Sequence, residues 1–445
     1  MSGLTPGPRL RDRIGAHPWL TLYLVALLAR LIICCSTSFH LQDTGFLERA
    51  RSLAAGQGHV QHMRWPMNEF LSGDYRSFTP PLYSAFLAMV MPHHGADTFR
   101  IGVCQAVLFS LMPLLLFRTA SLLFACPVTA WGAGLIGALY PSFVYCSNQL
   151  IDTGMAVLLF CAYLLAVVQA NRTCTAAWLI VTGVVGGLNL LVRANMVTVL
   201  AALPLGWLAL SPGLPLPALI RRTASVWAVT ALVVLPWTVR NCLVHGQLVV
   251  LTTNGGYNLW LGNNDGTRAY LTDDRVETLE VMMQTKLPLP AATGLAEADR
   301  DAWLWNTARE WMGQHCGEVL GNAFWKARRF WALTKPGTPG RPAWKRTVYA
   351  LSYGPLLALA IAGWAIACVR RDPAAGLTAL VVLSFMPPFL LCFGTIRMRA
   401  PLDAVLVLMA SVAIASGWTW MVSRGSGCSA CRPSRSSSDR PGSCP

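Results

Sequence analysis

Two aspartates and five arginines in this sequence stand at the ends of long apolar runs, where an ionisable side chain is costly and usually has a task. Asp43 follows the first run and Asp152 opens the fourth. Arg30, Arg193, Arg240, Arg397 and Arg399 fall at run ends on the same side. A carboxylate placed against a hydroxyl can take its proton as that oxygen forms a new bond. A guanidinium offers a planar fork of donors that fits phosphate oxygens. Each residue also has an ordinary reading. Asp43 can be a helix cap or a solvated loop residue, and Asp152 can cap the helix that begins at Thr153. Any one arginine can snorkel to headgroups.

The elements that must position these residues are membrane helices. The 445 residues are 54% hydrophobic and 12% charged, about half the charge of a soluble domain. Apolar runs near the length needed to span a bilayer lie at 17–39, 100–125, 127–147, 153–170, 175–192, 195–211, 224–239, 347–369, 374–394 and 400–422. The expectation is an all-α polytopic membrane protein of about ten transmembrane helices. The stretch 79–92 is apolar but too short to span, and reads as a helix lying in the interface. With the N-terminus in the cytoplasm, Arg9, Arg11, Arg13, Arg118, Arg172, Arg221, Arg222, Arg370 and Arg371 all fall inside, the positive-inside pattern. Two long connections, 40–99 and 240–346, then lie outside. The net charge of +15 follows from that bias, so nucleic acid is not an expected partner; the bilayer is. The five arginines above depart from the bias, and as a set snorkelling explains them less well than phosphate binding does.

Four segments follow from this reading: an N-terminal transmembrane module 1–239, an extracytoplasmic cap 240–346, C-terminal transmembrane helices 347–422, and a tail 423–445. The tail is rich in Ser, Arg, Pro and Cys, and is expected to be disordered and cytoplasmic. Most of the 14 cysteines, such as Cys104, Cys146, Cys161 and Cys392, stand singly in apolar runs and read as small hydrophobes. Cys428 and Cys431 have no second pair beside them, which argues against zinc. No metal ligands are assigned, although two acidic residues could hold a divalent ion. In the cap, TTNGGYN and LWLGNND carry turn chemistry, and backbone amides in such turns can bind anions or sugar hydroxyls. Glu297–Gly313 reads as an amphipathic helix. The mixture of Phe324, Trp325, Phe330 and Trp331 with Lys326, Arg328 and Arg329 suits the headgroup layer.

Carboxylates beside a sugar ring and arginines on a departing phosphate would together stabilise an oxocarbenium-like transition state. At this point the residues resemble a known group, the GT-C superfamily of polyprenyl-phosphate-dependent glycosyltransferases. The nearest likeness is to the protein O-mannosyltransferase-like (family 39-like) and aminoarabinose lipid A transferase-like enzymes. The landmarks are LQDTGFLERARSLAAGQGHV around Asp43, FTPPLYSAFLA at Phe78–Ala88, QLIDTGMA around Asp152, PWTVRNCLVHGQLVVLTTNGGYNLWLGNNDGT at Pro236–Thr267, and FGTIRMRAPLDAVLVLMA at Phe393–Ala410. They occur in the order that the group shows.

The resemblance implies a membrane glycosyltransferase, inverting, moving a hexosyl or pentosyl unit from a polyprenyl-phosphate carrier to an envelope acceptor. It implies that Asp43 is the base or orients the acceptor, that Asp152 supports the site, and that the late arginines contact the carrier phosphate. Tyr83, Asn254, Tyr257, Asn258, Asn263 and Asn264 are the candidate substrate contacts. The donor substrate is the lipid-phosphate-linked sugar; the acceptor, whether glycan, lipid or protein, is open. The implied location is a bacterial plasma membrane, multi-pass, with both termini cytoplasmic. Two departures stand out: Phe46 replaces a frequent Tyr, and no second acidic residue adjoins Asp43. The alternatives are a transporter or flippase of lipid-linked sugars, which predicts midplane charges and internal repeats, and an accessory protein that has kept the fold without activity.

Overall fold

The computed structural model describes residues 17–36, 45–64, 69–91, 98–273, 294–334, 343–394 and 396–425. Asp43, Cys428, Cys431 and the tail after Gly425 lie outside the described residues.

Among the described residues, seven helical stretches are long and apolar enough to cross a membrane. They are α1 (Pro18–Ser36), the consecutive pair α4 and α5 (Thr98–Phe109 and Met112–Phe124), α8 (Thr153–Thr173), α12 (Leu216–His245), α17 (Ala343–Val369), the consecutive pair α18 and α19 (Pro373–Phe385 and Pro387–Leu391), and α20 (Ala400–Gly425) with the 3-10 turn Ile396–Arg399 before it. Two shorter apolar helices, α6 (Pro127–Leu139) and α9 (Ala176–Leu190), stand among them. The run 195–211 becomes two pieces, α10 (Val197–Ala201) and α11 (Leu203–Leu210). Pro204 sits at the start of α11, where its missing N–H is tolerated as it would not be in mid-helix. Each of the ten runs read from hydropathy therefore holds helix, but three of them, 127–147, 175–192 and 195–211, hold no helix long enough to span. Proline opens α7 (Pro141–Cys146) in the same way and separates it from α6.

The helices sort by how much of them other helices cover. Most of the α8 span is buried, and α20 is buried from Ala400 through Val412. These two form the centre, whereas α1 presents Leu20, Leu24, Leu28 and Ile32 outward, as a lipid-facing helix should. Small residues set the closest approaches, the usual basis of helix association in lipid. A Cβ on Gly363 of α17 would come within 1.9 Å of Met409 O on α20. Gly183 and Gly187 of α9, one turn apart, receive Val229 and Val233 of α12, and Thr230 Oγ1 donates to Gly183 O at 3.0 Å.

The connections carry structure of their own. Between α1 and α4 come α2 (Phe46–Ala54), an antiparallel hairpin of β1 (Gln61–Met63) and β2 (Gly73–Tyr75) with His62 opposite Asp74, and α3 (Leu82–Val90). α3 is the short helix expected within 79–92. Between α12 and α17 come α13 (Gly255–Gly262), α14 (Thr267–Asp273), α15 (Glu297–Gln314) and α16 (Cys316–Phe330). They share a second apolar core of Phe70, Leu259, Trp260, Tyr270, Leu304 and Phe393, so both long connections and the chain before α20 pack as one cap.

The turn expected at Gly255-Gly256 is instead the first turn of α13. Asp301 Oδ1 accepts from Gly256 N at 2.7 Å and from Tyr257 N at 3.4 Å, which meets the otherwise unpaired amides of a helix start. The Asn263–Gly266 turn is present as read, closed by Gly266 N donating to Asn264 Oδ1 at 2.8 Å.

Candidate active site

α9 ends because its chain swings to an extended conformation at Arg193 (φ −146°, ψ 114°). Arg193 N still donates to Asn189 O at 2.8 Å, and the side chain reaches the start of α8. There Arg193 Nε donates to Asp152 Oδ2 at 2.8 Å and Nη2 to Oδ1 at 2.7 Å, a bidentate pair. Nη2 also donates to Thr153 Oγ1 at 2.8 Å. Asp152 occupies the N-cap position of α8, but its side chain makes no capping bond; the carboxylate serves the arginine instead. Burial acts to raise the Asp152 carboxyl, and the Arg193 charge and hydrogen bonds outweigh it, holding the group below the usual carboxylate range. Nη1 of Arg193 is buried without an acceptor among the described residues.

Arg397 is exposed on the 3-10 turn before α20 and makes no hydrogen bond among the described residues. It lies in the field of Asp152 and Arg193. Asp152 neutralises Arg193 and Asp403 neutralises Arg399, so Arg397 adds an exposed positive charge with no carboxylate bonded to it among the described residues. That is a fit for the phosphate of an amphiphile whose tail stays among the helices.

The other arginines singled out from sequence are placed differently. Arg30 is buried; Nε donates to Ser147 Oγ at 3.0 Å and Nη1 to Ala26 O and Ala138 O at 3.1 and 3.3 Å. Arg399 is also buried, on Asp403 at 3.1 Å, Phe330 O at 2.7 Å and the Tyr349 hydroxyl, with its guanidinium 3.5 Å from the Tyr353 ring centre. Arg240 stands over Trp237 and donates through Nη1 to Arg76 O, Ser77 Oγ and Asn241 Oδ1 at 3.0, 2.9 and 3.1 Å.

Tyr83 is buried beneath the site, in the field of Asp152, with its hydroxyl donating to Gln105 Oε1 at 2.7 Å. The five cap residues hold α13 in place. Asn254 Oδ1 accepts from Thr252 and its carbonyl from the Asn258 amide, Tyr257 packs near Phe78, Asn263 bonds Leu259 O and Leu391 O, and Asn264 bonds Trp260 O. Among the described residues, no three His, Cys, Asp or Glu side chains gather as a metal site would require.

Sequence reasoning missed a polar junction between loop and cap. Glu297 accepts from Arg76 N at 2.6 Å, Ser77 N at 2.9 Å and the Thr253 hydroxyl, and His245 Nε2 lies 2.8 Å from Ser77 Oγ. His59 is buried edge-on to Trp237, with Nδ1 3.1 Å from Arg76 O. Burial, and then Arg49 and Arg240, pull its pKa down to about 4, so the ring is neutral. These partners lie up to 221 residues apart in the chain, and no local spacing announces them.

Comparison places this architecture. It has the GT-C membrane fold that the landmarks suggested: the chain superposes on the Archaeoglobus fulgidus oligosaccharyltransferase in its apo form at a TM-score of 0.55, with 12% identity, over 92% of this chain. The chain spans about half, 51%, of that protein's length. Within that class, residues 79–239 match the family model described as dolichyl-phosphate-mannose-protein mannosyltransferase; that match runs from α3 into α12 and includes Asp152 and Arg193. ArnT from Cupriavidus metallidurans is a further, looser likeness: TM-score 0.43 at 13% identity with undecaprenyl phosphate bound, and 0.40 at 15% in the apo state, each over 92% of this chain and 80% of that one. No curated protein matches the chain.

Proposed function

We propose that the chain is a membrane glycosyltransferase that moves a sugar from a polyprenyl-phosphate carrier to an envelope acceptor on the extracytoplasmic face of a bacterial plasma membrane, with both termini in the cytoplasm. The observation that carries this reading is the exposed Arg397 beside the buried Asp152–Arg193 pair. The match over 79–239 supports the reaction class. Arg397 binds the carrier phosphate, while Asp152 holds Arg193 in its extended pose and keeps it from repelling Arg397.

Asp43 is the base of the reaction. It takes the proton of an acceptor hydroxyl as that oxygen bonds to the anomeric carbon. The bond from that carbon to the phosphate oxygen breaks with its electron pair, releasing the polyprenyl phosphate, and attack from the opposite face inverts the centre. Three residues after Asp43 in the sequence, Phe46 packs edge-on to Tyr83 at 5.1 Å, and Tyr83 lies in the field of Asp152.

The test is mass spectrometry of envelope glycans, lipids and glycoproteins in a strain lacking the gene, complemented with wild-type or Asp43→Asn chain. The wild type restores a sugar modification. The Asp43→Asn chain inserts normally but restores none, in line with a loss of about 10²–10⁴ in rate for a general base. Full complementation by Asp43→Asn would remove the assigned role.

A further inference from the structure

We propose that Lys326 is a positioning residue for the donor-phosphate site, tying the segment that delivers Arg397 to the Asn263 end of α13. The inference rests on the reading of Arg397 as the phosphate-binding residue. Carbonyls at a helix C-terminus have no partner within the helix, and α19 ends at Leu391. Lys326 Nζ donates to Leu390 O at 3.1 Å, to Leu391 O at 3.0 Å and to Asn263 Oδ1 at 3.3 Å. An ammonium has three donors, and here three acceptors meet them. Asn263 Nδ2 completes the tie by donating to Leu391 O at 2.7 Å.

The neighbours leave Cys392 and Phe393 little freedom. A Cβ on Gly262 would stand 1.7 Å from Cys392 O. Phe393 stacks on Tyr270 at 5.2 Å, and the Arg329 guanidinium lies over both rings. Downstream, Arg399 is locked to Phe330 O and Asp403. Arg397 is thus the exposed arginine between two clamped points.

A lysine 1% exposed is a costly choice for stability alone, since a buried charge loses its hydration. Methionine would fill similar space but hold no carbonyl. Burial pulls Lys326 down to about 8, and the titratable group facing it is Cys392, whose thiol burial raises. Because this lysine binds its proton less tightly in the folded chain, stability from this group does not fall as pH rises from about 8 toward 10.5. The tie itself weakens over that range as the charge is lost. Positioning and stability therefore respond to pH in different directions.

The experiment measures binding of undecaprenyl monophosphate, as probe, to the full chain in lipid nanodiscs. Arg397→Ala is expected to weaken binding by about tenfold, the loss of one charge-assisted contact. Lys326→Met weakens it by roughly fivefold and Lys326→Arg recovers most of that, since a cation is kept. Lys326→Met adds less than about twofold on the Arg397→Ala background, because coupled residues are non-additive. From pH 7 to 9 the wild type loses affinity with no fall in melting temperature, while Lys326→Arg changes less. Undiminished binding by Arg397→Ala would overturn the reading of Arg397, and this inference with it. A normal Arg397 effect together with a full Lys326→Met loss on the Arg397→Ala background would overturn the positioning role alone. Should Lys326→Met fail to fold, identical pH profiles for wild type and Lys326→Arg would overturn it.

Discussion

Arg397 and Arg399 stand two residues apart in one 3-10 turn and end in opposite surroundings: Arg397 is exposed, whereas Arg399 is fully buried against Asp403, Phe330 and Tyr349. The Arg-x-Arg motif therefore divides its labour. One guanidinium anchors the turn and the other is left exposed.

The two should part in experiment. Arg399→Met leaves Asp403 a buried and uncompensated charge, so it should lower stability by about 3–5 kcal/mol, the usual cost of breaking a buried pair. Arg397→Ala should leave the melting temperature within a degree or two, as most exposed substitutions do. Thermal unfolding in detergent measures both. Equal losses would show that Arg397 is also structural.

Asp152 and Arg193 should behave as a unit. Asp152→Ala strands a buried guanidinium and should cost about 3–5 kcal/mol. The double change Asp152→Ala with Arg193→Met removes both charges and should be more stable than Asp152→Ala alone, though inactive. A double-mutant cycle on melting temperature and transfer measures the coupling. Additive losses would count against the pair.

Two glycines of the NGGYNLWLGNN run, Gly256 and Gly262, should tolerate no side chain. Gly256→Ala drives a Cβ to 1.9 Å from Asp301 O, and Gly262→Ala drives one to 1.7 Å from Cys392 O. Each should cost about 3 kcal/mol or more, the upper end for overpacking. Gly417→Ala, which meets nothing within 4 Å on α20, should be neutral or stabilising by up to about 1 kcal/mol. Expression and unfolding of the three variants measure the contrast.

Asp301 should give the cap a pH dependence. Burial raises its carboxyl to about 6, against the hydrogen bonds from Gly256 and Tyr257 that favour the anion. A carboxyl raised on folding contributes most stability below 3.8, and loses it as pH climbs through 6. Asp301→Asn keeps an acceptor oxygen without the charge. It should raise stability at pH 7.5 by about 1–3 kcal/mol, in line with a carboxyl raised from 3.8 to about 6, and change little at pH 4. Melting curves at the two pH values measure it; the same gain at both would refute the assignment.

The sequence by itself determined that the chain is a helical membrane protein, where its apolar runs lie and which helix-end residues were worth watching, though seven of the ten runs it offered are long enough to span among the described residues. Hydropathy acts on each segment separately, because a run of about 20 apolar residues partitions into lipid whatever its neighbours do. Five family-like landmarks in order pointed to the fold for the same reason: they are local strings. The tertiary structure alone decided the division of labour among the arginines. Arg193 meets a partner 41 residues away, Arg30 one 117 away and Arg240 one 163 away, and helix packing sets those meetings. Arg397 was as conspicuous in the sequence as Arg399. The packing of α16, α17 and α20 around their turn buries one and leaves the other open, since a guanidinium is free for phosphate only where the fold supplies it no acceptor.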